Sequence, residues 1–259
     1  MKRYILVLAI GWGTLILFAS PLASEELKVL SAVGMQEVVE NVGRQFEQKT
    51  GHKLVMVFDP LGNMLKRIQN GETGDVIVLP DQGIQRLVND AKAAATDVTQ
   101  IARSTVGVAV RKGIPKPDIS SPDTFRRAML AAKAITISDP ARGGIATPHI
   151  LKVFERLGIS DEMRAKTVYS KMTGGAGIAQ VIAETDVTIA LNQLQEFVPV
   201  AALEIVGSLP GELGLATPFS ATVMSDAKNV AVARELIKFM LTPASATAIR
   251  AQGLQPAFP

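Results

Sequence analysis

Cysteine is absent from the 259 residues, and only two histidines, His52 and His149, are present. That excludes a disulfide framework, a thiolate nucleophile and Cys-ligated zinc or iron–sulfur centres, and it leaves too few imidazoles for a His-rich metal site. No metal and no cofactor are expected. Aromatic side chains make up 5% of the chain, with Trp12 the single Trp. Long polar low-complexity tracts are missing too, which excludes wholesale disorder. What remains is a chain 47% hydrophobic and 20% charged, long enough for one large or two modest domains with real cores.

The formal charge of +3 is partly a property of the first residues. Lys2 and Arg3 precede an apolar run, Ile5 to Phe18, broken only by Gly11, Gly13 and Thr14, and Ser20-Pro21-Leu22-Ala23 follows. A positive start, about 14 apolar residues and a small-residue exit form the pattern of a signal peptide, here residues 1–24, whereas a spanning helix needs about 20. An uncleaved anchor is the rival reading. Without that segment 25 basic side chains face 24 acidic ones, and no Lys/Arg cluster remains to hold nucleic acid. The expectation is an exported, nearly neutral, soluble periplasmic protein.

From Glu25 onward short β-branched runs alternate with helical patterns. Strands are expected at Lys28–Ala32, Lys53–Phe58, Asp75–Leu79, Thr105–Val110, Ala134–Ser138, Val168–Tyr169, Val187–Leu191 and Ser220–Met224. Between them the 3.6-residue period predicts helices to about Thr50, at Met64–Asn70 with Asn63 as cap after an Asp59–Gly62 turn, and from Pro80-Asp81. Further helices are expected at Asp123–Ala132, Gly143–Leu157, Ile178–Glu184, Val230–Leu241 and Pro243–Gln252. Such alternation argues for parallel sheets covered by helices. Chain order suggests two α/β lobes, residues 25–103 with 207–259 (lobe I) and 104–206 (lobe II). Simple tandem domains are the rival arrangement.

Several segments carry a resemblance. Ser31-Ala32-Val33-Gly34 with its helix ending before Lys49-Thr50-Gly51, Gly74-Asp75-Val76 leading to Pro80-Asp81, and Ser138-Asp139-Pro140 before a Gly-rich turn are similar to the molybdate-binding-protein family. So are Ala233–Met240, Pro243-Ala244 and Gly253-Leu254 at the end. The resemblance covers nearly all of Glu25 to Pro259 and implies a type II periplasmic binding protein: two lobes, two crossovers, a ligand cleft between them and a monomer. It also implies serine hydroxyls around the oxyanion, where this chain has Gly34, Pro60 and Gly62-Asn63, and a tyrosine where it has Leu191 followed by Asn192-Gln193. A buried oxyanion short of donors is costly, so the fold carries over and molybdate does not.

Three Gly-rich turns, Val33-Gly34-Met35, Arg142-Gly143-Gly144 and Thr173-Gly174-Gly175, each lead from a strand into a helix. Glycine lets backbone approach a ligand, and helix amino termini offer free N–H groups that each favour an anion by roughly 0.3–1 kcal/mol when exposed. The candidate ligand-binding set adds Gly62, Asn63, Thr147, Asn192 and Gln193 to those turns. Arg142, Asn192 and Gln193 are planar donors suited to a carboxylate. The expected partner is therefore a small anion, a di- or tricarboxylate, delivered to an inner-membrane ABC permease.

Two other readings stay open. The aconitate isomerases resemble the same family and need no cofactor; that resemblance implies an anion cage plus one acid–base residue, for which His149, Lys171, Asp59 and Glu37 are candidates the sequence does not separate. A ligand-sensing role through a membrane receptor uses the same fold.

Overall fold

A computed structural model describes residues 24–142, 145–172 and 174–258, with Arg142 described in its backbone only. The signal-peptide reading of residues 1–24 thus falls, apart from Ser24, outside the described residues. Strand β1 (Glu26–Ala32) buries Leu27, Val29 and Leu30, and helix α1 (Gln36–Thr50) covers it with Val38, Val39, Val42 and Phe46. Strand β2 (Lys53–Asp59) pairs parallel to β1 in register Glu26↔Lys53. Helix α2 (Leu61–Gln69) returns the chain to β3 (Val76–Pro80), parallel to the other side of β1. Helix α3 (Asp81–Asn89) follows directly, as the Pro80-Asp81 signal predicts.

Strand β4 (Thr99–Arg111) is 13 residues long, twice the expected Thr105–Val110. After it come α4 (Pro122–Ala131), β5 (Ile135–Ser138), α5 (Ala146–Arg156), α6 (Ser160–Lys166), β6 (Thr167–Ser170), α7 (Gly174–Glu184), β7 (Ile189–Gln193), β8 (Leu203–Ser208) and β9 (Ala216–Val223). Helices α8 (Val230–Phe239) and α9 (Pro243–Ala251) and the short β10 (Gln255–Pro256) close the chain. The strand order is β2-β1-β3-β9-β4-β7-β5-β6, with β8 and β10 also on β4. Residues 99–105 of β4 pair antiparallel with β9, and residues 106–111 pair antiparallel with β7 and β8. One strand therefore belongs to two sheet regions.

Each region has its own core. Leu30, Phe46, Ile77 and Leu236 pack together around β1–β3, while Val108, Phe125, Ile137 and Phe154 pack around β5. Under α7 a smaller cluster joins Ile178, Ile182 and Phe197. Asp75, buried, accepts backbone N–H bonds from Lys28 (2.8 Å), Lys228 (2.8 Å) and Asn229 (3.2 Å), tying β1 to the start of α8.

Several element limits differ from expectation. The Asp59–Gly62 turn is shorter: Pro60, at φ −54 and ψ 145, serves as the extended residue before α2, so Gly62 and Asn63 lie inside the first helical turn. Asn63 is not the cap; its Nδ2 donates to Asp59 Oδ1 at 3.0 Å. Helix α5 begins at Ala146, later than Gly143, and α7 begins at Gly174, earlier than Ile178. Strand β8 and helix α6 were not expected at all; α6 is a seven-residue, largely charged segment that buries only Met163.

Candidate functional site

Strands β1, β3, β5 and β7 end at one place, with Ala32, Pro80, Ser138 and Gln193 around a small chamber. Open α/β sheets bind ligands outside the carboxyl ends of their strands. The chamber holds about 80 Å³. Ala32, Val33, Gly34, Pro60, Leu61, Pro80 and Phe219 come from the β1–β3 region, and Ser138, Ile145, Gly174, Asn192, Gln193 and Glu196 from the β5–β7 region. A larger cavity of about 510 Å³ shares Val33, Gly34, Gly174 and Glu196 with it and continues past Gln36, Glu37, Gln195 and Gln252.

The polar lining forms a connected chain. Asn192 Nδ2 donates to Ser138 Oγ at 3.3 Å, and its Oδ1 accepts the Gln193 backbone N–H at 2.8 Å. Gln193 Oε1 accepts from Gln195 Nε2 at 3.3 Å, and Gln195 Oε1 accepts from the Ser104 hydroxyl at 2.6 Å. Asn192 and Gln193 are each 6% exposed, and Gln193 Nε2 is buried with no partner. An unmet buried donor costs about 1–3 kcal/mol, a cost a ligand oxygen would remove.

Glu196 ends a short 3-10 turn, Leu194–Glu196, directly after β7. It is half-buried and borders both cavities. Burial pushes its carboxyl up to about 7, opposed by the Gly175 N–H that donates to it at the start of α7. The glycines there are set by protein contacts. Gly174 has φ 72, and a Cβ on it would stand 2.8 Å from Glu196 Oε2. A Cβ on Gly175 would lie 2.4 Å from the Glu196 carbonyl oxygen, and one on Gly177 2.1 Å from Ser170 Oγ. These residues press the amino terminus of α7 against Glu196, so the chain's own carboxylate lies at that terminus.

Among the candidate residues, Gly34, Gly174, Asn192 and Gln193 meet at the small chamber, and Gly175 lines the larger cavity. Met35 instead packs in the core at 1% exposure, because the turn at Val33–Met35 points it inward. Gly62 and Asn63 line neither cavity, since α2 begins before them. Thr147 is buried and lines neither either; its hydroxyl donates to Ser138 O at 2.9 Å and so steadies the end of β5. The Arg142 side chain, Gly143, Gly144 and Thr173 lie outside the described residues.

Of the four acid–base candidates only Glu37 lines a cavity. His149 Nε2 donates to Leu213 O at 2.8 Å, Asp59 pairs with Arg67 at 3.4 Å, and Lys171 is exposed on a loop. Glu196 was missed. An acid beside Leu194 and Phe197, just past the buried strand β7, carries no local mark that separates it from a surface carboxyl. Among the described residues no group of three His, Asp or Glu side chains could hold a metal ion, and no helix is long and apolar enough to cross a membrane.

Comparison with known proteins agrees with this architecture. The chain is 29% identical over 253 residues to an aconitate isomerase of a Pseudomonas species, covering 94% of both chains. It is 26% identical over 259 residues to the molybdate-binding protein of Azotobacter vinelandii, covering 96% of both. The solved substrate-binding domain assigned to a molybdenum ABC transporter of Clostridium difficile superposes with a TM-score of 0.75 at 14% identity, over 90% of this chain and 99% of that one. The profile of the bacterial extracellular solute-binding proteins matches residues 27–255. The chain belongs to that family, and its fold is that of the molybdate-binding-protein-like solute-binding proteins.

Proposed function

We propose that this protein is exported to the periplasm and captures a small organic anion, a di- or tricarboxylate, between lobe I (residues 25–103 and 207–259) and lobe II (residues 104–206). The observation that carries this is the Ser138–Asn192–Gln193 edge of the chamber, with Gln193 Nε2 buried and unpartnered. Planar amides present N–H donors in one plane, matching the plane in which a carboxylate presents its acceptor oxygens. A space of about 80 Å³ suits one carboxylate arm, with the remainder reaching past Gly34 and Glu196 into the larger cavity. Anion binding by the molybdate-binding relative supports the same use of the cleft. Delivery to an inner-membrane ABC permease by a monomer is the corresponding physiological role.

A second reading rests on Glu196. The relative that is 29% identical over 94% of the chain is an aconitate isomerase. Its substrate isomerises when an allylic proton leaves one carbon and returns to another as the double bond moves, and a carboxyl at about 7 is matched to both steps near neutral pH. On this reading Glu196 replaces His149, Lys171, Asp59 and Glu37 as the acid–base group.

Proton NMR of citrate, tricarballylate and the two aconitates with mature protein in deuterated buffer separates the readings. Broadening without chemical change is the result expected of a carrier. Interconversion of the aconitates, with deuterium uptake, makes the protein an isomerase. A silent panel overturns the carboxylate assignment.

A further inference from the structure

Both cavities are lined, among the described residues, by carboxyls and no cation: Glu196 borders both, and Glu37 the larger. The groups around Glu196 from every adjoining element follow the same pattern. The first turns of α7 bring glycine and alanine, the start of α1 brings Gln36 and the exposed Glu37, β7 and its turn bring Asn192, Gln193 and Gln195, and the end of α9 brings Gln252. Lys171 before α7 and Arg250 on α9 are exposed.

The amino terminus of α7 is an 11-residue helix's anion-favouring end, and Glu196 already uses it through the Gly175 N–H. A second anion at Gln193 Nε2, a donor on a side chain 6% exposed, would stand beside that carboxylate. Two neighbouring negative charges in a poorly solvated place cannot both persist, and the titrating one takes a proton.

Resting on the anion reading above, we propose that Glu196 couples ligand capture to the uptake of one proton: ionised, it fills the α7 terminus of the empty cleft; protonated, it donates its O–H to the bound anion. Burial already raises this carboxyl to about 7, and the charge of a neighbouring bound anion raises it further. Capture then strengthens as the surroundings acidify, and an alkaline shift releases the anion.

The test is calorimetric titration of the mature chain and of Glu196→Gln with trans-aconitate, tricarballylate and molybdate between about pH 7.5 and 9, where all three probes are fully ionised. For any probe that binds, wild-type affinity should fall roughly tenfold per pH unit. Binding heats in buffers of different ionisation enthalpy should report close to one proton taken up per anion. Glu196→Gln should bind independently of pH, without proton uptake, and more tightly than wild type at the alkaline end. Binding with flat affinity and no proton uptake by the wild type overturns the coupling and leaves the anion reading standing. Failure of every probe to bind overturns both. Because proton uptake is read on the wild type, the test stands even if the variant folds poorly.

Discussion

The two walls of the cleft are built from the same grammar, strand ends leading into helices, yet they carry different chemistry. On the β1–β3 side every side chain at the small chamber is apolar or absent: Ala32, Val33, Gly34, Pro60, Leu61, Pro80 and Phe219. Facing elements contribute Ser138, Asn192, Gln193 and Glu196. In the proposed function, recognition lives on one wall, while the other offers shape and whatever backbone N–H groups remain free. An oxyanion gripped from both sides by hydroxyls needs two polar walls; an organic acid with an apolar skeleton is satisfied by one of each.

Four changes test that asymmetry, in falling order of effect. Phe219→Ala removes the largest side chain of the apolar wall, which is 1% exposed, and should cost about 3–5 kcal/mol in urea unfolding with an unchanged m-value. A loss under about 1 kcal/mol would mean the wall is not packed.

The next effect belongs to the polar wall and is read as a pH profile. Glu196 titrates near about 7 in the folded protein against an ordinary 4.5, so the native state holds the proton more tightly than the unfolded chain. Its contribution is fully present below the ordinary carboxylate range and is lost as pH rises to about 7. Wild-type stability should drop by roughly 1–3 kcal/mol across that interval and then level, while Glu196→Gln shows no such drop. Equal profiles would place Glu196 in open solvent and erase the contrast.

Glycine substitutions sharpen it further. Gly175→Ala puts a methyl 2.4 Å from the Glu196 carbonyl and should cost about 1–3 kcal/mol by the same unfolding assay. Gly62→Ala meets nothing within 4 Å, sits in the first turn of α2 and should raise the unfolding midpoint by an amount equal to about 0.5–1 kcal/mol.

Most of the alternation was legible because strands such as β3 are continuous apolar or β-branched runs and most helices repeat every 3.6 residues. Legibility failed where local pattern and tertiary role part company. Arg103, exposed in the middle of β4, reads as a strand end, although pairing to β9 and β10 continues the strand through it. Strand β8 is half-buried from Leu203 to Gly207 and exposed at Ser208, so it lacks both the period and the run that mark a strand. At the site, Asn192, Gln193 and the glycines at 34 and 174 were found because turn chemistry is local. Thr147 and Met35 were placed with them because spacing says where a residue lies along a helix, not whether the helix turns it inward. Glu196 escaped because nothing local separates a cleft carboxyl from a surface one; its burial comes from α7, some twenty residues earlier.

Strand β4 has a mechanical consequence. At about 3.3 Å per residue it forms a continuous bar roughly 40 Å long, hydrogen-bonded to β9 along one stretch and to β7 and β8 along the other. Any swing between the regions must twist or bend this bar, which acts as a torsion spring. Ser104, just before the changeover, is bonded to Gln195 at 2.6 Å, which anchors the donors of the polar wall close to the pivot. A rotation of roughly 10° displaces a group about 5 Å from the axis by about 0.9 Å, and one about 20 Å away by about 3.5 Å. The amides hardly travel while the outer strands sweep. Paired labels at the exposed Val55 on β2 and Tyr169 on β6, opposite ends of the strand order, would register closure that probes beside Gln195 would miss.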